Sequence, residues 1–194
     1  MSKVFHSRGA STLAEACVQT VLNPSYALGL VSVTGIEGES VEKIEEILGL
    51  EEVSKSLGKA WVDNKYPGVL SNFSFLQTRD GAPKPHIDQR KGYYYNSPER
   101  VAILSIARYG IGHVRGQQFP AVILPGEEAV DHALLAEMRQ VSYGLDLDRM
   151  PIDFEHHPSQ VLIIPTLPSP TAHAVEPLTK TRETNTWECT LDLS

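Results

Sequence analysis

His86-Ile87-Asp88 lies near the middle of the chain and His173-Ala-Val-Glu-Pro177 near its end, with Arg182 nine residues after His173. Two imidazoles and one carboxylate form the ligand set that holds Fe(II) on one face and leaves positions open on the other. A guanidinium beyond the second histidine would then grip a carboxylate bound at those open positions. The spacing suits a β scaffold. Residues i and i+2 of a strand point the same way, so His86 and Asp88 reach one ion from one strand end.

Strands must carry these residues. Asn72–Gln77 leads through Thr78-Arg-Asp-Gly-Ala-Pro83 into the strand that bears His86. Val101–Arg108 and Phe119–Leu124 are expected as strands joined by a Gly-rich turn. Val161–Ile164, Ala172–Glu176 and Thr186–Leu193 follow. The last of these alternates Trp187, Cys189, Leu191 and Leu193 against polar residues, which predicts one buried face. Gly126 to Tyr143 reads as a helix with Val130, Leu134, Met138 and Val141 on one face, inserted between strands.

The first third of the chain reads differently. Thr12-x-x-Glu15 is a capping-box pattern opening a helix that Asn23-Pro24 stops. Tyr26 to Thr34 is a strand. Ser40 caps a second helix that ends at Gly49, and a further turn or two ends near Gly58. No repeat or linker interrupts 1–194, so one domain is expected, with helical support over about 10–60 and a helical insertion at about 126–143.

These motifs resemble those of the Fe(II)/2-oxoglutarate-dependent dioxygenases, over the region from about Asn72 to the C-terminus. The resemblance implies a mainly β fold with flanking helices, a double-stranded β-helix or jelly roll. It implies Fe(II) bound by His86, Asp88 and His173, with 2-oxoglutarate as cosubstrate and O2 as oxidant. Arg182, helped by Thr184, would take the distal carboxylate of 2-oxoglutarate. The implied reaction couples decarboxylation to succinate and CO2 with hydroxylation of a small molecule, or with desaturation or ring closure. Arg79, Arg90 and Arg108 flank the metal strands and Tyr93-Tyr94-Tyr95 follows the first of them. A pocket so lined would suit an amino acid or another small carboxylated metabolite. Two alternatives stay open: a metal-dependent oxygenase or isomerase on this fold without 2-oxoglutarate, and a non-catalytic jelly-roll binding domain.

Composition narrows the partners. With 194 residues the chain is long enough for a sizeable core without disulfide staples. The net charge is −7, and the scattered basic residues argue against a nucleic-acid partner. Cys17 and Cys189 are expected to be buried free thiols. No signal segment or membrane span is visible, which gives a cytoplasmic expectation, makes the Asn72-Phe-Ser74 sequon inconsequential and leaves oligomeric state open. Gly110-Ile-Gly112 with Gly116 has the wrong spacing for a dinucleotide fingerprint. Phosphate-loop and Gly-x-Ser-x-Gly signatures are absent. Of the other histidines, His156 and His157 are expected in an exposed loop, His132 on a solvated helix face, His113 in a turn and His6 in a mobile end.

Overall fold

A computed structural model of the protein describes residues 3–88 and 99–193, apart from the side chains of Ala10 and Arg79. Its elements in chain order are β1 (Lys3–Arg8), α1 (Leu13–Leu22), β2 (Tyr26–Ser32), α2 (Val41–Leu48), α3 (Leu50–Asp63), β3 (Val69–Leu70), β4 (Ser74–Arg79) and β5 (Ala82–His86). Then come β6 (Glu99–Tyr109), β7 (Gly112–Gln118), α4 (His132–Ser142), β8 (Ile152–His156), β9 (Gln160–Pro165), β10 (Thr171–Pro177) and β11 (Glu183–Asp192).

The strands form two sheets. The larger runs β1-β2-β9-β6-β11-β3, with β4 also paired to β11, and the smaller runs β5-β10-β7-β8. This is a mainly β jelly roll with flanking helices. Every pair is antiparallel except β1 with β2. The larger sheet has two apolar faces because it is covered on both sides. Val161, Ile163, Leu104 and Trp187 join α1, α2 and α3 in one cluster, while Leu162, Ile164 and Ile103 meet Val114, Ile152 and Val175 of the smaller sheet in another. The alternation along each strand therefore sorts residues between two cores.

Several expectations change. β11 is buried on both faces: Thr184, Thr186, Glu188 and Thr190 are as enclosed as Trp187, Cys189 and Leu191, while Leu193 is exposed. The polar face is the one turned toward the smaller sheet. The stretch expected as a Gly-rich turn is largely β7, and 119–124 is irregular. Pro120 cannot extend a ladder, and the Phe119 and Val122 N–H groups are satisfied instead by the Pro170 and Pro168 carbonyls at 2.7 and 2.9 Å. His6 lies in β1, a strand the sequence reading lacked.

The helices show similar shifts. Ser40 caps α2, accepting from the Lys43 N–H at 3.3 Å, and Gly49 ends it with φ of 60°. The Thr12 capping box does not form. A 3-10 turn precedes α1, and the Thr12 hydroxyl donates back to the Gly9 carbonyl at 2.8 Å. α3 passes through Gly58 to Asp63 because Trp61 is fully buried and its indole N–H reaches the Pro67 carbonyl at 2.9 Å. That burial outweighs the roughly 1 kcal/mol a solvent-facing helical glycine costs. α4 starts at His132, not Gly126, capped by Asp131, and it buries Leu135, Met138 and Ser142 while Val141 stays exposed. No helix among the described residues is long and apolar enough to cross a membrane.

Candidate metal centre and anion cleft

β10 carries His173, and the ladders place it directly between two partners: His86 on β5 and Gly116 on β7. The two imidazole rings lie 4.5 Å apart between centroids. Asp88, two residues beyond β5's last residue, turns its carboxylate toward both. His86 Nε2 lies 3.7 Å from Oδ1 and His173 Nε2 lies 3.5 Å from Oδ2. The ligand atoms of all three residues fall within 4.8 Å of one another.

These residues fit a divalent ion. The Nδ1–H of His86 donates to the Lys84 carbonyl at 2.9 Å, which leaves the Nε2 lone pair for a ligand bond. A first-row ion with bonds of about 2.1 Å brings adjacent ligand atoms to roughly 3 Å, so the observed separations require only small side-chain shifts. Burial alone would raise the Asp88 carboxyl, but His173, His86 and Arg100 hold it well below the usual carboxylate range. It therefore stays ionised, as a metal ligand must.

Beside Asp88 sits a buried ion pair that the sequence did not reveal. Arg100 donates to Glu188 Oε2 from Nε at 2.9 Å and from Nη2 at 2.6 Å, and its Nη1 lies 3.5 Å from Asp88 Oδ1. On the α4 side, Arg139 donates to Glu99 at 3.0 Å and reaches the Asp88 carbonyl at 3.4 Å.

A cleft of about 370 Å³, its open mouth included, extends from His173 and Asp88 to Arg182. Ile103, Leu162, Ile164 and Val175 make its apolar wall; Ser105, Thr184 and Thr186 make the polar one. Arg182 is only 7% exposed. Its Nη1 donates to the Asp80 carbonyl at 2.9 Å and its Nη2 to His156 Nδ1 at 3.1 Å. Among the described residues no carboxylate oxygen lies within 4.0 Å of its guanidinium. Burial lowers its pKa to about 10, partly offset by the charge of Asp80, so it remains a cation at neutral pH. A guanidinium has five N–H donors, and the second hydrogen of each terminal nitrogen is left for an anion.

The other candidates are placed elsewhere. Arg108 donates to the Glu39 carbonyl at 2.9 Å and lies 3.8 Å from Glu183, away from the cleft lining. Arg79 falls on β4 opposite Thr184, with its side chain outside the description. Arg90, Tyr93, Tyr94 and Tyr95 lie outside the described residues. His132 is exposed and pairs with Glu99, and His157 is half-buried and pairs with Glu155. His113 lies on β7, hydrogen-bonded to Asp153. His156, expected in an exposed loop, is fully buried on β8. The signal that would have found it is the alternation Ile152, Phe154, His156 with Asp153 and Glu155 between, since every second residue of a strand faces inward.

No protein-family model matches the chain, and no curated protein resembles it closely enough to count as a relative. Among solved structures, the chain is similar to a crystal structure described as the non-heme iron oxygenase OrfP in complex with Fe, at 10% identity and a TM-score of 0.46, covering 95% of this chain and 79% of that one. It is also similar to the Kdo hydroxylase KdoO, described as a non-heme Fe(II) alphaketoglutarate-dependent dioxygenase, at 11% identity and a TM-score of 0.47, covering 98% and 88%. A third is an N-substituted L-amino acid dioxygenase from Burkholderia ambifaria, at 18% identity and a TM-score of 0.35, covering 77% and 70%. At such identities and scores, what this chain does has to be argued from its own residues.

Proposed function

We propose that the chain is an Fe(II)- and 2-oxoglutarate-dependent dioxygenase that oxidises a small molecule, of which an amino acid or another small carboxylated metabolite is the favoured class. The observation that carries this reading is the pairing of two features in one cleft. At one end stand His173 and Asp88, with His86 in chelating range of both; at the other stands a buried guanidinium with no carboxylate in range among the described residues. The apolar wall between them suits the methylenes of a short dicarboxylate, and the hydroxyls of Thr184 and Ser105 suit its oxygens.

His86, Asp88 and His173 would hold the iron, which supplies the activation of O2 and the two-electron oxidation of 2-oxoglutarate. Arg182 fixes the distal carboxylate through its planar fork, with Thr184 beside it, and so sets the orientation of the 2-oxo acid. Ile103, Leu162, Ile164 and Val175 exclude water along the chain and strengthen that charge pairing.

The test is a titration of 2-oxoglutarate into Fe(II)-loaded protein without oxygen, followed by assay of succinate with O2 present. Arg182→Lys is expected to weaken binding strongly, because an ammonium cannot reproduce the bidentate fork. Arg182→Ala should cost on the order of 2–5 kcal/mol, roughly thirty- to several-thousand-fold in affinity. Iron content should be unchanged in both, whereas His86→Ala, Asp88→Ala and His173→Ala each lose it. Wild-type protein that binds iron but neither binds 2-oxoglutarate nor forms succinate would favour an oxygenase that does not use this cosubstrate.

A further inference from the structure

We propose that His156 is the positioning residue of the Arg182 carboxylate grip: it takes one N–H of the guanidinium and aims the remainder into the cleft, which makes His156 a determinant of selectivity for a dicarboxylate over a monocarboxylate. This rests on the function proposed above.

Both ring nitrogens of His156 are engaged. Nε2 lies 2.9 Å from the Gln160 carbonyl, which can only accept, so Nε2 carries the hydrogen. Nδ1 is then the acceptor, and Arg182 Nη2 donates to it at 3.1 Å. On the far side the Asp80 carbonyl takes a hydrogen from Nη1 at 2.9 Å. The third side is closed by Gly112, which stands opposite His156 in the β7–β8 ladder. A Cβ at that position would come within 2.5 Å of Arg182 Nε and 2.9 Å of Cζ.

The guanidinium is thus located by an imidazole, a backbone carbonyl and a bare Cα, and none of the three carries a formal charge. Burial pushes the imidazole down to about 4, and the nearby Arg182 and His157 add to that, so it is uncharged at neutral pH. An aspartate or glutamate at position 156 would hold the same N–H but would neutralise the cation. A histidine orients the guanidinium while leaving its charge for a ligand.

The probes are 2-oxoglutarate and 2-oxobutyrate, which share the 2-oxo acid end but differ in the distal carboxylate. Dissociation constants for both are measured on Fe(II)-loaded protein under anaerobic conditions, with iron content and thermal midpoint recorded alongside. His156→Leu removes the acceptor, and 2-oxoglutarate affinity is expected to fall about tenfold or more while 2-oxobutyrate affinity holds. His156→Asn places an amide oxygen near the Nδ1 position and is expected to stay within about threefold of wild type. His156→Gln reaches the Nε2 position instead and still donates to the Gln160 carbonyl. It gives the same reading as Leu if Leu fails to fold. An unchanged preference for 2-oxoglutarate in the Leu and Gln variants overturns the proposal, and so does a parallel loss of both ligands. A wild type that does not distinguish the two acids brings down the dioxygenase reading itself, a separate result.

Discussion

Asp88 is ionised in a buried site because two imidazoles and a guanidinium surround it, and the guanidinium is itself held by another residue. Arg100 lies 3.5 Å from Asp88 and 2.6 Å from Glu188, and all three are nearly inaccessible to water. Removing one member of a buried pair costs more than replacing both, since the survivor's charge is left in a low-dielectric interior. Glu188→Gln is therefore expected to destabilise the protein by about 3–5 kcal/mol in urea unfolding, and Arg100→Met with Glu188→Leu together by less. A double variant at least as destabilised as the single would refute this account. The cluster of His86, Asp88 and His173 was legible because His-x-Asp is a local pattern, and the place of Arg182 in the same cleft because its offset from His173 is short. Arg100 with Glu188, 88 residues apart, could not be paired from sequence: their meeting depends on the register of two strands. His156 was hidden by a neighbour. Side by side, His156 and His157 looked like a solvated pair, whereas β8 turns His156, its last residue, inward and His157 follows beyond the strand's end.

At the level of elements, two glycines in different strands make close approaches of different kinds. Gly29 on β2 lies under α1, where a Cβ would collide with Thr20 Oγ1 and come within 3.0 Å of Ile163 Cδ1. Gly112 on β7 lies under Arg182. Gly29→Ala is expected to cost about 1–3 kcal/mol of stability by lifting the helix from the sheet, with little effect on ligand affinity. Gly112→Ala should instead weaken 2-oxoglutarate binding, because the side chain forced to move is Arg182, the proposed anion grip. Paired measurements of unfolding and of 2-oxoglutarate affinity separate the two, and equal effects of both variants on affinity would refute the assignment. The apolar runs of β6 and β9 and the end signals of α2, Ser40 and Gly49, were legible as local patterns. β7 was read as a turn because Gly112 and Gly116 mimic turn chemistry. Their absent side chains actually make room for Arg182 and Leu28. β1 lacks a buried face and leaves no periodic trace.

For the whole molecule, the layering decides how stability responds to acid. Helices cover one face of the large sheet and the small sheet covers the other, which leaves polar groups such as His156 enclosed between the sheets. Burial, with Arg182 and His157 close by, depresses the His156 pKa from 6.5 to about 4. Below about pH 6.5 the unfolded chain takes up a proton that the folded chain refuses. Stability therefore rises with pH in this window and falls on acidification, the loss being complete once the pH passes below the folded value. The shift corresponds to about 3 kcal/mol between pH 6.5 and pH 4, a large share of the 5–15 kcal/mol typical of a domain. His156→Asn cannot titrate there, so the difference between wild-type and variant unfolding free energies should change by about that amount across the window. Urea unfolding of both proteins at half-unit pH steps measures it, and His86, Asp88 and His173, common to both, cancel in the difference. Parallel curves for the two proteins would mean that folded His156 takes up its proton as readily as the unfolded chain does, so that the acceptor Arg182 needs would be lost below about pH 6.5.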